Sequence, residues 1–146
     1  MVLNQDFREF IQLLNEHNVL YLVVGGYAVA FHGYPRYTKD IDIWIYLDKE
    51  NAEKLLRVLE DFGFGSLDLK VEDFLDPEQV VQLGYPPNRI DLITDLKGVK
   101  FKNCYSSKVE VEIEGTKVNF IALANLKKTK QATGRHQDLA DLENLE

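Results

Sequence analysis

Hydrophobic residues recur at helical spacing at both ends of the chain. Four of them near the start fall at positions i, i+3, i+4 and i+7, the spacing of one buried helix face: Phe7, Phe10, Ile11 and Leu14. We therefore predict a helix over residues 5–17. A second apolar stripe predicts a helix over 49–62, which Asp48 can cap and Gly63 can end. The last part of the chain, 122–145, is also predicted to be helical, with a break near the sequence TGR.

Between these helices, apolar runs predict the strands of a sheet. Residues 19–24 form a continuous, β-branched apolar run, which is typical of a buried strand. The glycine-bounded segment 26–32 predicts a two-turn helix directly after that strand. Further strands are predicted where apolar and polar residues alternate, at 40–47, at 89–94 and in a hairpin formed by 107–115 and 116–122. A short helix is predicted to begin at Pro77.

Together these elements predict an α/β (α+β) fold in which helices flank a mixed sheet of about five strands. Apolar residues make up 45% of the 146 positions and are spread along the whole chain, which argues against disorder. We see no internal repeat and no linker. The sequence therefore predicts a single domain spanning 1–146, with helices in its C-terminal part.

The composition narrows the range of partners and compartments. With 24 acidic and 17 basic residues the net charge is −7, which argues against a broad basic face for nucleic acid. One cysteine allows no disulfide framework within the chain, as expected in a reducing compartment. The start of the chain lacks a signal-peptide pattern, and no apolar run approaches the roughly 18 residues of a membrane span. We therefore expect a cytoplasmic protein with no membrane partner.

Candidate chemistry first appears in the alternating sequence DIDIWI. On a strand, this alternation places Asp40 and Asp42 on one face of the sheet and the isoleucines on the other. Paired carboxylates are suitable ligands for Mg²⁺, although an exposed acidic strand face is the alternative. Asp91 lies in a similar run, NRIDLIT, and an adjacent strand would bring it alongside the pair. Three such carboxylates can hold two metal ions about 3.5–4 Å apart. The alternatives for Asp91 are a buried side chain satisfied by backbone donors and a surface aspartate on an edge strand.

A pair of glycines marks the junction between the first predicted strand and the short helix after it. Gly25 and Gly26 lack Cβ atoms, so the backbone can turn sharply and approach a ligand closely. The N–H groups that open the next helix are free to face an anion such as phosphate. The alternative is a plain tight turn between strand and helix.

Taken together, these motifs are more specific than any one of them. In the order of its motifs, the chain resembles the nucleotidyltransferase superfamily with the DNA polymerase β-like fold. The motifs are Gly25-Gly26, thirteen further residues, Asp40-x-Asp42 and a later strand with Asp91. The sequence GGYAVAFHGYPRYTKDIDIWI is similar to small bacterial members, including AbiEii-like, minimal and antibiotic-modifying nucleotidyltransferases. The resemblance covers residues 19 to about 95. The tail LKKTKQATGRHQDLADLENL is similar to a Lys…Gly-Arg…Asp-Leu…Asp pattern of the same proteins.

This resemblance implies a metal-dependent nucleotidyltransferase with two Mg²⁺ ions, or Mn²⁺ in their place. Such an enzyme moves a nucleoside monophosphate from an NTP onto a hydroxyl group of a small molecule, a protein or a tRNA. By the resemblance, Asp40 and Asp42 hold both ions. Asp91 holds the catalytic ion and helps to deprotonate the acceptor hydroxyl. Gly25 and Gly26 would cradle the triphosphate.

Basic side chains should also reach the triphosphate. Arg36 and Lys39 precede the acidic pair in the sequence, and Lys127, Lys130 and Arg135 belong to the tail that resembles the family. We predict nucleotide contacts for these five residues. The alternative is a solvated surface with local ion pairs of roughly 0.2–0.5 kcal/mol each.

Two other functions remain open from the sequence. Only about 25 residues follow the last predicted strand, fewer than the acceptor-binding domain of many family members requires. Acceptor recognition is therefore expected from loops, from the segment 65–88, from a second subunit of a homodimer or from a protein partner. The same observation motivates a non-catalytic or regulatory member of a toxin–antitoxin-type pair. A third hypothesis is a metal-dependent phosphohydrolase that uses water as the acceptor.

Overall fold

A computed structural model of the chain describes residues 3–33, 40–85 and 88–144. Six helices are present in these segments: α1 (Gln5–Glu16), α2 (Gly25–Phe31), α3 (Lys49–Asp61), α4 (Phe101–Ser106), α5 (Leu123–Thr133) and α6 (His136–Asn144). The strands are β1 (Tyr21–Val24), β2 (Ile41–Ile45), β3 (Val80–Leu83), β4 (Ile90–Ile93), β5 (Val109–Ile113) and β6 (Thr116–Phe120). Two short 3₁₀ helices, Gly65–Leu67 and Val71–Phe74, follow α3.

The strands form one mixed sheet in the order β3-β4-β2-β1-β6-β5. Strands β1 and β2 are antiparallel, whereas β2 pairs with β4, and β1 with β6, in parallel. The predicted α/β class is confirmed, with six strands in place of the expected five or so. Strands β5 and β6 form the predicted hairpin at one edge of the sheet.

The additional strand is β3, and it corrects one prediction. The short helix predicted to begin at Pro77 is wrong, because Val80–Leu83 pairs antiparallel with β4. Val81 and Leu83 are buried while the residues that alternate with them are exposed, which is the two-residue period of a half-buried strand. Before the strand, Asp76 accepts a hydrogen bond of 2.9 Å from the backbone N–H of Glu78, so the chain turns there and does not start a helix.

The predicted helices are otherwise confirmed. All four apolar residues of the predicted α1 face are buried. Asp48 caps α3 by accepting a hydrogen bond of 3.2 Å from the backbone N–H of Asn51, and Gly63 follows that helix with φ of +98°. Gly134, with φ of +64°, separates α5 from α6 at the predicted break. No helix formed by the described residues is long and apolar enough to cross a lipid bilayer.

The sheet register determines where the acidic residues lie. In the parallel pair β2 and β4, Asp42 lies directly opposite Asp91. In the antiparallel pair β1 and β2, Val24 lies opposite Asp42, so the chain leaves β1 for α2 beside that carboxylate. Asp40 immediately precedes β2 and lies two residues before Asp42, so the two residues belong to the same face of the sheet. The central three strands therefore bring both sequence motifs to one place on the sheet.

Candidate active site

Asp42 and Asp91 lie in direct contact at the centre of this site. They occupy opposed positions of neighbouring strands, so their side chains point to the same face of the sheet. Burial, the charge of Asp91, a hydrogen bond with Asp91 and the charge of Asp40 raise the pKa of Asp42 to about 6. Like charges that share a buried site favour the protonated form of one member. The three carboxylates therefore lie close enough to repel one another, as a cation-binding cluster would require.

Arg89 supplies positive charge within this cluster. Its guanidinium binds Asp91 through two bonds, 2.8 Å from Nε to Oδ1 and 3.0 Å from Nη2 to Oδ2. The same Nη2 lies 2.8 Å from Oδ2 of Asp40. Arg89 was not predicted from the sequence as a site residue. The signal was present in NRIDLIT, because residues two apart on a strand share a face and Arg89 precedes Asp91 by two.

The chemistry of the three acids suits a hard divalent cation, which prefers carboxylate oxygens. Oδ1 of Asp40 is buried and accepts no hydrogen bond from the described residues, so an oxygen ligand is available there. However, no three acidic, histidine or cysteine side chains among the described residues are arranged to hold an ion as they stand. Asp40 and Asp91 are instead turned towards Arg89. The residues fit such an ion by type and location, whereas their present orientation serves the guanidinium.

Gly25 packs directly against the carboxylate of Asp42. A Cβ atom at this position would lie 2.1 Å from Oδ2 of Asp42, far inside van der Waals contact. Gly25 also has φ of +66°, which side-chain-bearing residues rarely adopt. Gly26 follows it in the first turn of α2. Gly25 therefore brings bare backbone against the acid cluster.

The C-terminal helices contain a second group of charged residues. The ammonium of Lys130 lies 3.0 Å from Oδ1 of Asp138 and 2.9 Å from Oδ2 of Asp141, and all three side chains are buried. Asp138 also accepts hydrogen bonds from the Thr133 hydroxyl and, at 2.7 Å, from Nε of Arg135. Burial tends to raise the pKa of Asp138, but these hydrogen bonds lower it to about 2. The group joins α5 to α6.

Arg135 connects this group electrostatically to the acid cluster. Its side chain is 76% exposed, and Asp138 fixes one end of its guanidinium. The hydrogen bond to Asp138, the charge of Asp138 and the charge of Asp42 raise the pKa of Arg135. The charge of Asp42 thus acts on the Arg135 guanidinium through space.

The other predicted basic contacts are placed less directly. Lys130 binds two carboxylates in the buried group, so its predicted nucleotide contact stays a prediction that these contacts do not favour. Lys127 is half-buried on α5, and its role also stays a prediction. Arg36 and Lys39 lie outside the described residues.

Comparison with known proteins connects this site to a family. A family model described as aminoglycoside-2''-adenylyltransferase matches residues 6–145, which is nearly the whole chain. The match includes all three acids, both glycines and the tail helices. Among curated protein sequences, none matches this chain at a significant level.

Solved structures with the same fold have low sequence identity to the chain. An antigenic nucleotidyltransferase-like protein from Paracoccidioides brasiliensis is 22% identical, with a TM-score of 0.55, over 99% of this chain and 78% of that one. A presumed nucleotidyltransferase from Thermotoga maritima is 19% identical, with a TM-score of 0.61, over 94% and 88%. A lincosamide antibiotic adenylyltransferase with lincomycin bound is 17% identical, with a TM-score of 0.58, over 99% and 96%. Likeness at this level of identity supports the nucleotidyltransferase fold and leaves the substrate open.

Proposed function

The chain belongs to the aminoglycoside-2''-adenylyltransferase family, and on that premise we propose that it transfers an adenylyl group from ATP to a hydroxyl of a small molecule. The observation that carries this proposal is the contact of Asp42 with Asp91, with Asp40 and the Gly25 backbone beside them. Such a constellation suits nucleotidyl transfer, in which the protein mainly positions groups and stabilises charge on the phosphates.

The proposed reaction displaces pyrophosphate. The acceptor oxygen forms a bond to the α-phosphorus of ATP, the bond between that phosphorus and the bridging oxygen of pyrophosphate breaks, and the hydroxyl proton passes to a carboxylate of the cluster. We assign the proton to Asp91, and we assign the binding of divalent ions to Asp40, Asp42 and Asp91. Mg²⁺ bound there would neutralise phosphate charge and acidify the acceptor hydroxyl.

Other parts of the chain orient the triphosphate in this proposal. Gly25 presents backbone with no side chain against Asp42. We assign the triphosphate to this backbone and to that of Gly26, the next residue of α2, because a phosphate can approach glycine backbone closely. Arg135 extends a largely exposed guanidinium from the α5–α6 turn near Asp42. A guanidinium held by Asp138 at one end can still donate to a phosphate from its remaining N–H groups.

The small-molecule acceptor is proposed from the family. The family is named for an adenylyltransferase of aminoglycosides, and one structural neighbour carries bound lincomycin. Another neighbour was solved with adenylyl-2''-tobramycin, the product of such a transfer. Hydroxyl-rich antibiotics are therefore the first acceptors to test.

The test is label transfer from α-labelled ATP in the presence of Mg²⁺, with aminoglycosides, lincosamides and a small-molecule extract as acceptors. We expect a labelled acceptor and an equal amount of pyrophosphate. Asp42→Asn should lower the rate by at least about a hundredfold. It removes a proposed ligand of the metal ions that stabilise charge on the phosphates, and loss of one such stabilising group typically costs that much. Asp61→Asn, the same change at an exposed residue of α3 that pairs with His17, should leave the rate unchanged.

Other outcomes would identify the alternatives. Release of phosphate or nucleoside monophosphate without a labelled acceptor would indicate a phosphohydrolase. If neither ATP nor any other NTP binds in the presence of metal, the catalytic proposal is wrong. The non-catalytic, AbiEii-like or toxin–antitoxin-type role would then be the hypothesis to pursue.

A further inference from the structure

Arg89 is the only cation in the described residues that binds the acid cluster directly, and nothing in the proposed reaction requires it to do so. We propose that Arg89 is an internal counter-ion that holds Asp40 and Asp91 in the metal-free protein and that a divalent cation must displace it to bind. This inference rests on the proposed function, because it assumes that the acids bind metal. The inference adds Arg89 as a residue that determines how tightly the acids bind metal.

The contacts of Arg89 occupy the oxygens that an ion would use. Both oxygens of Asp91 accept hydrogen bonds from the guanidinium, at 2.8 and 3.0 Å. One oxygen of Asp40 forms an ion pair with the same guanidinium at 2.8 Å. A carboxylate whose oxygens are directed at a bidentate guanidinium is poorly oriented for a second cation. This explains why these acids are adjacent and yet form no ready metal site in the described part of the chain. The guanidinium and an ion therefore compete for these oxygens.

The charge balance makes such an exchange favourable. Three carboxylates and one guanidinium leave the group two charges short of neutrality when all the acids are ionised. One buried oxygen of Asp40 has no hydrogen-bond partner in the described part of the chain. A divalent cation can therefore enter next to this oxygen and Asp42 and supply the missing charge. Asp91 and the second oxygen of Asp40 can follow as Arg89 withdraws.

Arg89 also has room to withdraw. Its side chain is 26% exposed, and it immediately precedes Ile90, the first residue of β4. An arginine side chain has several rotatable bonds, so the guanidinium can leave the acids without movement of the sheet. The backbone carbonyl of Arg89 still accepts the hydrogen bond of 3.1 Å from the N–H of Ile41 that pairs the two strands.

The main experiment compares Arg89→Gln with the parent protein in two measurements that do not need activity. In EDTA, the variant should unfold at a lower temperature, because three carboxylates are left without their counter-ion. By calorimetry, its affinity for Mn²⁺ should rise about tenfold, the order expected when one competing charge-assisted hydrogen bond is lost. The matched control is Arg8→Gln, which makes the same charge change and removes the ion pair with Glu114 in the β5–β6 turn. It should leave the affinity for Mn²⁺ unchanged.

The parent protein provides a second test that does not depend on the folding of the variant. The Nε–H resonance of Arg89, assigned by its loss in the variant or by selective labelling, should shift as Mg²⁺ is added. The shift should saturate with the calorimetric affinity, since the guanidinium leaves Asp91 as the ion binds. A resonance unchanged at saturating Mg²⁺ would overturn the inference.

The inference would also be overturned if Arg89→Gln bound Mn²⁺ as tightly as the parent protein or more weakly. An absence of Mn²⁺ binding in both proteins would overturn it too. Its failure can be distinguished from failure of the proposed function. If Arg89→Gln binds Mn²⁺ more tightly but the parent protein labels no acceptor, the counter-ion role is supported and the catalytic proposal is not. If the parent transfers adenylyl groups but the variant shows unchanged affinity, the reverse holds.

Discussion

Two groups of aspartates in this protein differ in how completely their charge is neutralised. The sheet acids are Asp40, Asp42 and Asp91, and within residues 3–33, 40–85 and 88–144 one cation is bound to them, Arg89. The helix acids are Asp138 and Asp141, and they share the ammonium of Lys130. Asp138 also binds Arg135 and the Thr133 hydroxyl. The helix acids are thus matched by donors, whereas the described residues leave the sheet acids with excess negative charge.

The pKa values of one member of each group show this difference. Burial and neighbouring acids raise the pKa of Asp42 to about 6. Burial also acts on Asp138, but hydrogen bonds from Arg135, Thr133 and Lys130 lower its pKa to about 2. Burial alone therefore does not distinguish a structural aspartate from one available to a ligand. The two kinds of aspartate are distinguished by the number of hydrogen-bond donors that face the carboxylate.

The largest effect is expected when the helix acids lose their cation. Lys130→Met should lower the free energy of unfolding by about 3–5 kcal/mol, because it leaves two buried carboxylates without their shared partner. Urea unfolding at pH 7 measures this loss. The control is Lys128→Met, on the same helix but exposed, which should change stability by less than about 0.5 kcal/mol. A loss below about 1 kcal/mol for Lys130→Met would mean that this ion-pair group does not stabilise α6.

Much of the sheet could be predicted from the sequence because its central strands carry clear local patterns. The alternation in DIDIWI and RIDLIT identified β2 and β4, and the parity of that alternation placed Asp40 and Asp42 on one face. Strand β3 was missed because its pattern is short and follows a proline, so local sequence favoured a helix. Pairing with β4, a contact distant in sequence, decides its structure.

The charges of the site could be predicted less well than the positions of its acids. The spacing of Arg89 and Asp91 places both on one face of a strand, but only the register of β2 against β4 shows that Arg89 also reaches Asp40. For Lys130, sequence showed a basic helix position but not its burial against Asp141. Which cations face a ligand and which face the protein depends on packing between elements, and no local pattern records that.

The same substitution, aspartate to asparagine, should change the free energy of unfolding in opposite directions in the two groups. In EDTA at pH 7.5, Asp42→Asn should raise the free energy of unfolding by about 1–2 kcal/mol, because it removes a carboxylate that is costly to ionise in the folded protein. Asp138→Asn should lower it by about 2 kcal/mol, because charge-assisted hydrogen bonds are lost. Urea unfolding of both variants alongside the parent protein gives the two signs directly.

The pH dependence of the same variants follows from the direction of each shift. The pKa of Asp42 is raised from 3.8 to about 6 on folding, so the parent protein loses stability from this group as pH rises from about 4 to about 6. The gain in Asp42→Asn should therefore disappear near pH 4. The pKa of Asp138 is lowered to about 2, so its contribution is present above about pH 4 and is lost as pH falls towards 2. Equal signs for the two variants at pH 7.5 would contradict the comparison.

The smallest effect on stability is expected at Arg135, which lies between the two groups. Arg135→Gln removes an ion pair whose arginine is 76% exposed, so the free energy of unfolding should fall by less than about 1 kcal/mol. If its free N–H groups reach the triphosphate near Asp42, the dissociation constant for ATP should nevertheless rise about fivefold, which corresponds to about 1 kcal/mol. Calorimetry with a non-hydrolysable ATP analogue and Mg²⁺ measures this affinity in the variant, and Arg135→Lys should restore part of it.

The loss of stability and the change in ATP affinity of Arg135→Gln together decide whether Arg135 supports the helix acids or binds the nucleotide. A residue that only supports Asp138 would lower stability and leave nucleotide affinity unchanged, as a surface ion pair does. A residue that binds phosphate would do the opposite, because an exposed guanidinium gains its main partner only when the nucleotide is present. An unchanged dissociation constant together with a stability loss above 1 kcal/mol would therefore assign Arg135 to the helix acids. The negative sheet acids would then have to attract the nucleotide entirely through bound metal and through residues that precede β2.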